Sequence, residues 1–172
     1  MRNDSSDIIK LLLVDHELLR QNMAALKAAE SVEEKRKIYA VLLPLLECHT
    51  FAEEETLITR ALTEEKLRPF AMEGLEEHDV TEFEAMKLKQ AATDDQWVTR
   101  TKVLCELLEH HLKEEEEDFF PMAEKVLSRE ELVELGDRYW EAREKLKLAP
   151  IIQLPIRTSA LEESRGVLAG VN

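Results

Sequence analysis

Apolar residues recur every three or four positions along most of the chain, which is the spacing of one face of an α-helix. This pattern predicts five helices, over residues 6–29, 31–62, 69–91, 93–121 and 128–148. Serine or threonine precedes three of them, with glutamate or glutamine three residues later as in a capping box. These pairs are Ser31 with Glu34, Thr93 with Gln96 and Ser128 with Glu131.

Two prolines and the C-terminal tail depart from this regular helical pattern. Pro44 lies inside the second helix, where we expect a kink and not an end, and Pro121 is expected to bend or end the fourth helix. The inward stripes are expected to include Leu13, Phe83 and Val103. We expect one domain over residues 1–148 and a tail over 149–172, whose mixed pattern could place apolar residues on the bundle.

The chain repeats itself at a shift of 62 residues. His16 and His49 are 33 residues apart, and so are His78 and His111. VLLPLLECHTFAEEE (41–55) matches VLCELLEHHLKEEEE (103–117), and VDHE (14–17) matches EEHD (76–79). The repeat predicts a helix hairpin used twice, packed as an antiparallel up-down four-helix bundle with pseudo-twofold symmetry, plus a fifth, C-terminal helix.

The same repeat separates candidate ligands from their neighbours. It aligns His111 with His49 on the apolar stripe and leaves His110 toward the edge of its helix. Glu53 and Glu115 follow His49 and His111 by four residues, so each pair shares one helix face and can share one ligand.

The remaining acids are assigned to the surface or to a supporting role. Four are expected to turn away into solvent: Glu54, Glu55, Glu116 and Glu117. Four others flank the first-helix and third-helix histidines and are expected to be exposed or to hydrogen-bond a histidine's second nitrogen: Asp15, Glu17, Glu77 and Asp79.

Six residues therefore form a candidate metal site: His16, His49, Glu53, His78, His111 and Glu115. A single histidine on an apolar stripe is more often a core residue, but six polar residues recurring on core-facing stripes are costly to bury without a cation. Imidazole and carboxylate ligands without thiolate favour iron or manganese over structural zinc. Two histidines from each half suggest two metals bridged by the two glutamates. No ExxH motif is present, which disfavours the ferritin-like class.

Composition narrows the function further. The 172 residues carry a net charge of −14, which argues against a nucleic-acid partner and against an anionic membrane surface. Cys48 and Cys105 lie in apolar helical pattern and are expected to pack as reduced thiols. Neither a signal peptide nor an apolar run of membrane-spanning length is recognised, so a cytoplasmic location is expected.

The fragments LLLVDHELLR, CHTFAEEETLI, LEEHD and HHLKEEEEDFFP resemble the motif segments of the hemerythrin-like, HHE cation-binding family over roughly residues 6–146. The resemblance implies a four-helix bundle around a non-haem diiron centre with an oxo or hydroxo bridge. By position, His16 and His49 would hold one iron and His78 and His111 the other, with Glu53 and Glu115 as bridging carboxylates.

One position departs from the oxygen-carrying members of that family. They have a fifth histidine one turn before the third-helix ligand, where this chain has Gly74, and the repeat places Leu12 opposite it. The open coordination positions would fall to water or to an acid such as Glu73 or Glu77. This departure disfavours reversible oxygen carriage.

The expected function is therefore a diiron protein that binds or senses oxygen, nitric oxide, peroxide or iron itself, with a small diatomic or peroxide ligand at the metals. No catalytic residue is assigned, and a classical enzyme is not expected; peroxide- or nitric-oxide-reactive diiron chemistry is the alternative. Two alternatives fit the same residues: a zinc- or manganese-binding helical bundle without a redox role, and a helical protein-interaction module. No oligomeric state is predicted.

Overall fold

The computed structural model describes residues 7–148, and every regular element within them is helical. The α-helices are α1 Ile8–Ala28, α2 Val32–Glu53, α3 Thr59–Ala61, α4 Arg68–Lys89, α5 Asp94–Glu114, α6 Phe120–Val126 and α7 Arg129–Leu148. Two π-helical turns, Glu54–Ile58 and Glu115–Phe119, join α2 to α3 and α5 to α6 without a break. The predicted all-α class with five helical rods is confirmed, and the predicted tail over 149–172 lies outside the described residues.

Four helices, α1, α2, α5 and α7, begin where a polar side chain accepts from a free backbone N–H group. The Ser31 hydroxyl accepts from the Glu34 backbone N–H, and the Ser128 hydroxyl accepts from that of Glu131. Glu131 in turn accepts from the Ser128 N–H at 2.9 Å, which completes the predicted capping box. These local contacts explain why the predicted and observed starts of the capped helices agree within one or two residues.

The prolines have different outcomes. Pro44 lies within α2, which continues past it as predicted. The fourth rod does not end at Pro121, because the helical conformation continues to Val126. Pro121 lies in the first turn of α6, directly after the second π-helical turn, and a missing backbone N–H is tolerated in a first turn.

The helices pack as two hairpins and a fifth rod. α1 packs on α2 and α4 packs on α5, and the short links between hairpin partners make each pair antiparallel. α7 packs on α1, α2 and the first π-helical turn, all of which belong to the first half of the repeat. The fifth rod therefore breaks the pseudo-twofold symmetry of the bundle.

Two apolar clusters fill the bundle, one on each side of a polar layer. One contains Leu12, Ala52, Leu57, Phe119 and Phe120 among others, and the second contains Leu19, Leu46, Leu88, Leu104 and Leu108 among others. The first two helices pass from one cluster to the other at His16 and His49. The polar layer is thus enclosed by hydrophobic packing on both sides, which keeps bulk water away from it.

Three residues expected on the inward stripes are exposed. Leu13 is 41% exposed, Phe83 52% and Val103 40%. Leu13 and Val103 each adjoin a fully buried leucine, Leu12 or Leu104, and a neighbouring residue on a helix points about 100° away. Phe83 instead lies on the outer surface beneath the Lys87 ammonium group.

No helix within residues 7–148 combines the length and the apolar character that crossing a bilayer requires. The cytoplasmic location and the domain boundary at residue 148 stay predictions.

Candidate metal centre

The polar layer brings together all six residues selected from the sequence. α1 contributes His16, α2 contributes His49 and its last residue Glu53, α4 contributes His78, α5 contributes His111, and the second π-helical turn begins with Glu115. Every one of these side chains is buried, and the most exposed, His78, is only 5% accessible. The role of these six residues as metal ligands stays a prediction.

The two glutamates lie between the histidines of the two halves. Glu53 Oε2 is 3.6 Å from the Nε2 atom of His49 and 3.8 Å from that of His78. Glu115 Oε2 is 3.2 Å from the Nε2 atom of His16 and 3.6 Å from that of His111. Each carboxylate therefore faces one histidine from each half, which is the arrangement that a bridging carboxylate needs.

The other ring nitrogen of each histidine faces an acidic side chain. The Nδ1–H group donates to Glu116 from His16 at 2.8 Å, to Glu54 from His78 at 2.9 Å and to Glu77 from His111 at 2.7 Å. The fourth, His49 Nδ1, lies 3.8 Å from Asp15 Oδ2. The three hydrogen bonds fix which nitrogen of His16, His78 and His111 carries the hydrogen and leave Nε2 free to bind a metal.

These acids follow the pseudo-twofold symmetry. Glu54 and Glu116 each come directly after a central glutamate, and Asp15 and Glu77 each come directly before the first histidine of their half. The prediction that Glu54 and Glu116 turn away into solvent is therefore wrong, since their side chains are only 23% and 27% exposed and contact histidines. Their position at the π-helical turns, which no sequence pattern predicted, places them against the neighbouring helix.

The expectation for the four flanking acids was correct for three of them. Glu77 accepts a hydrogen bond from His111, and Glu17 and Asp79 are exposed. Asp15 is instead buried and lies 3.8 Å from His49 Nδ1, beyond hydrogen-bond distance. Glu55 and Glu117 are also exposed, as expected.

Helix α7 covers the side of the centre that belongs to the first half of the repeat. The Tyr139 hydroxyl donates to Asp15 Oδ2 at 2.5 Å and lies 3.4 Å from His49 Nδ1, and Arg143 pairs with the same carboxylate oxygen. Although burial acts to raise the pKa of Asp15, the contacts with His49, Arg143 and Tyr139 outweigh it and hold that pKa well below its usual range. The sequence had indicated no more than an aromatic core or edge residue at Tyr139, because its partner lies 124 positions away.

The equivalent histidines of the two halves, His49 and His111, differ in proton affinity. Burial lowers the pKa of His49 to about 4. Burial also acts to lower the pKa of His111, but the charges of Glu115 and Glu77 outweigh it and raise that pKa.

The centre contains buried polar atoms that protein groups leave unsatisfied. Within residues 7–148, His16 Nε2, His49 Nε2 and both carboxylate oxygens of Glu53 and Glu115 have no hydrogen-bond partner. The contact of 3.2 Å between His16 and Glu115 is within reach, but its angles are not those of a hydrogen bond. Unsatisfied buried carboxylates are strongly unfavourable, and a cation would compensate them.

The opposed nitrogens of His78 and His111 support the same conclusion. Their Nε2 atoms are 3.1 Å apart, while both Nδ1 atoms donate to carboxylates. When both rings are neutral, two lone pairs face each other and repel, and either a proton or a metal ion between them removes the repulsion. Two neighbouring ligands about 2.1 Å from one metal ion are separated by about 3 Å, so the spacing fits a shared ion.

The two central carboxyls affect one another in the metal-free chain. Burial, followed by the charge of Glu115, raises the pKa of Glu53 well above its usual range. Burial also acts to raise the pKa of Glu115, but His111 and His16 outweigh it and lower that pKa. Four residues, His49, Glu53, His111 and Glu115, each offer a ligand atom within 4.8 Å of the others. The residues present therefore fit a divalent cation.

A cavity of about 60 Å³ adjoins the centre on the side of Gly74. Glu73, Glu77 and Glu115 line it together with Gly74. His110 is 61% exposed and outside the centre, as predicted. That Glu73 or Glu77 supplies a further metal ligand stays a prediction. Glu77 already accepts a hydrogen bond from His111.

Comparison with known families agrees with this geometry. The family model described as the hemerythrin HHE cation-binding domain matches residues 7–123, which contain all six central residues. No curated protein and no solved structure was found to match the chain. Because the family match covers more than half of the sequence and includes both hairpins, the chain belongs to the hemerythrin HHE cation-binding domain family.

Proposed function

We propose that this protein binds two iron ions in the polar layer and uses them to bind or sense oxygen, nitric oxide, peroxide or iron itself. The observation that carries the proposal is the set of buried, unsatisfied nitrogen and carboxylate oxygen atoms that face one another at the centre. The family match supports cation binding in general, and the identity and number of the ions are the proposed part.

The donor set supports iron through its chemistry. Four imidazoles and two carboxylates converge without any cysteine, and Cys105 is buried in the apolar cluster that contains Leu104. Nitrogen and oxygen donors of this kind suit iron, whereas structural zinc sites commonly include thiolates. His16 with His49 would hold one ion and His78 with His111 the other. Glu53 and Glu115 would bridge them, because each carboxylate faces one histidine from each half.

The surroundings support small ligands. Iron bound at this position would supply redox chemistry toward oxygen, nitric oxide or peroxide. The neighbouring cavity of about 60 Å³ has room for a water molecule or a diatomic molecule, but not for an organic substrate of drug size. The chain's own residues hold the imidazoles in position and exclude bulk water.

The test is metal analysis of the purified full chain together with its visible absorption spectrum. We expect two iron ions per chain and an absorption band in the aerobically prepared protein. A His49→Ala, His111→Ala double variant should lose the metal, and His110→Ala, the exposed neighbour of His111, should keep both ions. Stoichiometric zinc in a colourless sample would refute the diiron assignment and favour the structural metal alternative. A chain that binds no metal with high affinity would refute metal binding and favour the interaction module.

A further inference from the structure

A second cluster of possible ligands lies on the surface beside the buried centre. The Nε2 atom of His110 is 3.3 Å from Glu114 Oε1 and 3.8 Å from Glu77 Oε1. One ligand atom from each of these three residues lies within 4.8 Å of the others. His110 and Glu114 are four residues apart on α5, so they repeat the spacing of His111 and Glu115 one residue earlier.

Glu77 connects this outer cluster to the buried centre. Its Oε1 atom faces His110 Nε2, and its Oε2 atom accepts from His111 Nδ1 at 2.7 Å. One carboxylate thus contacts an exposed histidine and a buried one. The outer and inner clusters are separated by a single side chain.

The cavity next to Gly74 borders both clusters. Glu77 and Glu114 of the outer cluster line it, and so does the buried Glu115 of the centre. Both oxygens of Glu115 lack a hydrogen-bond partner among the described residues, although the side chain is only 4% exposed. The Oε2 atom of this carboxylate is shielded from solvent and lies within 3.6 Å of His16 and His111, so Glu115 stands between the cavity and the centre and would receive a cation that moved inward.

The charges around the cavity have one sign. Its eight lining residues are five acids, two phenylalanines and a glycine, with no lysine or arginine: Phe70, Glu73, Gly74, Glu77, Glu114, Glu115, Asp118 and Phe119. A cleft lined by one sign of charge concentrates ions of the opposite sign and raises their association rate.

The repeat supplies an internal comparison. At the equivalent positions of the first half, Glu73, Glu114 and Asp118 are replaced by Leu11, Ala52 and Thr56. Ala52 and Thr56 are fully buried, and Asp15, the equivalent of Glu77, is covered by Tyr139 and Arg143 of α7. Within residues 7–148, the first half thus lacks three of the acids that line the cavity, and its equivalent of Glu77 is covered by α7.

We propose that His110, Glu77 and Glu114 form an outer divalent-cation site at the mouth of this acid-lined cavity, through which metal ions reach the buried centre. The inference rests on the proposed metal-binding function. The site has one imidazole and two carboxylates, and water completes its coordination, so an ion is held weakly and passes inward to the stronger ligand set.

The experiment compares the rate and the extent of metal loading. Metal-free full-length chain is mixed rapidly with Co²⁺, whose visible absorption reports coordination, at low and high ionic strength. The test variant is His110→Ala with Glu114→Gln, which leaves Glu77 and its bond to His111 intact. The matched control is Glu106→Gln, which removes one negative charge from an exposed position of α5 that pairs with Lys102.

We expect the test variant to load about ten-fold or more slowly than the native chain, with the same final number of tightly bound ions. The native loading rate should fall with ionic strength more steeply than that of the test variant, and the control should resemble the native chain. In a titration of the metal-loaded chain with Mn²⁺ followed by electron paramagnetic resonance, one further weak ion should bind and should be lost in the test variant.

The outcomes separate this inference from the proposed function. Equal loading rates in all three proteins with normal final stoichiometry would overturn the entry route and leave the diiron proposal standing, even if a weak Mn²⁺ ion were found. A native chain that takes up no tightly bound ion would overturn the proposed function and the entry route together.

Discussion

The hydrogen bond between His16 and Glu116 provides a direct test of how the centre is held. His16 is fully buried, and its Nδ1–H group donates to Glu116 Oε1 at 2.8 Å; the same oxygen accepts from Arg20 at 2.7 Å. Replacing Glu116 by alanine leaves a buried N–H group without its charged acceptor, and the imidazole loses its orientation. The glutamine variant keeps an oxygen acceptor and loses only the charge.

The expected loss of metal affinity follows from the strength of a hydrogen bond to a charged group. A hydrogen bond to a charged group contributes about 1.5–3 kcal/mol, and removing such a partner of a ligand histidine typically weakens metal binding about 10- to 100-fold. These two figures agree, since each ten-fold change corresponds to about 1.4 kcal/mol. We therefore expect Glu116→Ala to weaken binding by about 10- to 100-fold, with Glu116→Gln between that variant and the native chain.

The assay is a competition titration of metal-free protein against a chelator of known affinity. Glu117→Ala is the matched control, because the Glu117 side chain is 64% exposed and lies 3.7 Å from Lys113 without contacting a histidine. Glu54→Ala should show the same loss as Glu116→Ala, because Glu54 contacts His78 in the other half in the same manner. An affinity of Glu116→Ala within about three-fold of native, or an equal loss in Glu117→Ala, would refute the reasoning.

Three further predictions concern the stability of the bundle. Leu42→Ala should destabilise it by about 2–5 kcal/mol in urea denaturation, whereas Val41→Ala, at a neighbouring position that is 60% exposed, should change it by less than about 0.5 kcal/mol. Burial raises the pKa of Cys105 to about 11, so a thiol reagent at pH 8 should modify it only after unfolding, and rapid modification of the folded chain would contradict this. In metal-free protein, burial lowers the pKa of His49 to about 4 from 6.5, so the unfolded chain takes up a proton first and stability falls as the pH decreases from 6.5 to 4. The decrease should be smaller in His49→Gln by an amount on the order of 3 kcal/mol, and parallel stability curves for the two proteins would contradict the assignment.

The six residues of the centre could be predicted from the sequence because the internal repeat and the four-residue spacing are both periodic signals. A shift of 62 residues superimposes one half on the other, and the four-residue spacing puts His49 with Glu53 and His111 with Glu115 on single helix faces. Helix starts were predictable for a similar reason, since a capping box such as Ser128 with Glu131 involves residues only three positions apart. Local geometry and internal repetition are properties that a sequence expresses directly.

The contacts that orient the histidines were not predictable in this way. The hydrogen bond from His16 to Glu116 joins residues 100 positions apart. It depends on how α1 packs against the second π-helical turn, which contains Glu116. No sequence pattern predicted the π-helical turns that place Glu54 and Glu116 against neighbouring helices. From sequence these acids resembled an ordinary charged surface, because periodicity describes one helix and not its partner.

The sequence by itself thus determined the all-α class, the doubled hairpin and the six polar residues on inward stripes. Tertiary structure alone decided that α7 closes the first half through Tyr139 and Arg143 on Asp15, while the equivalent face of the second half opens at Glu77. The physical reason is that a repeat encodes two equal halves, whereas a single fifth helix can pack against only one of them.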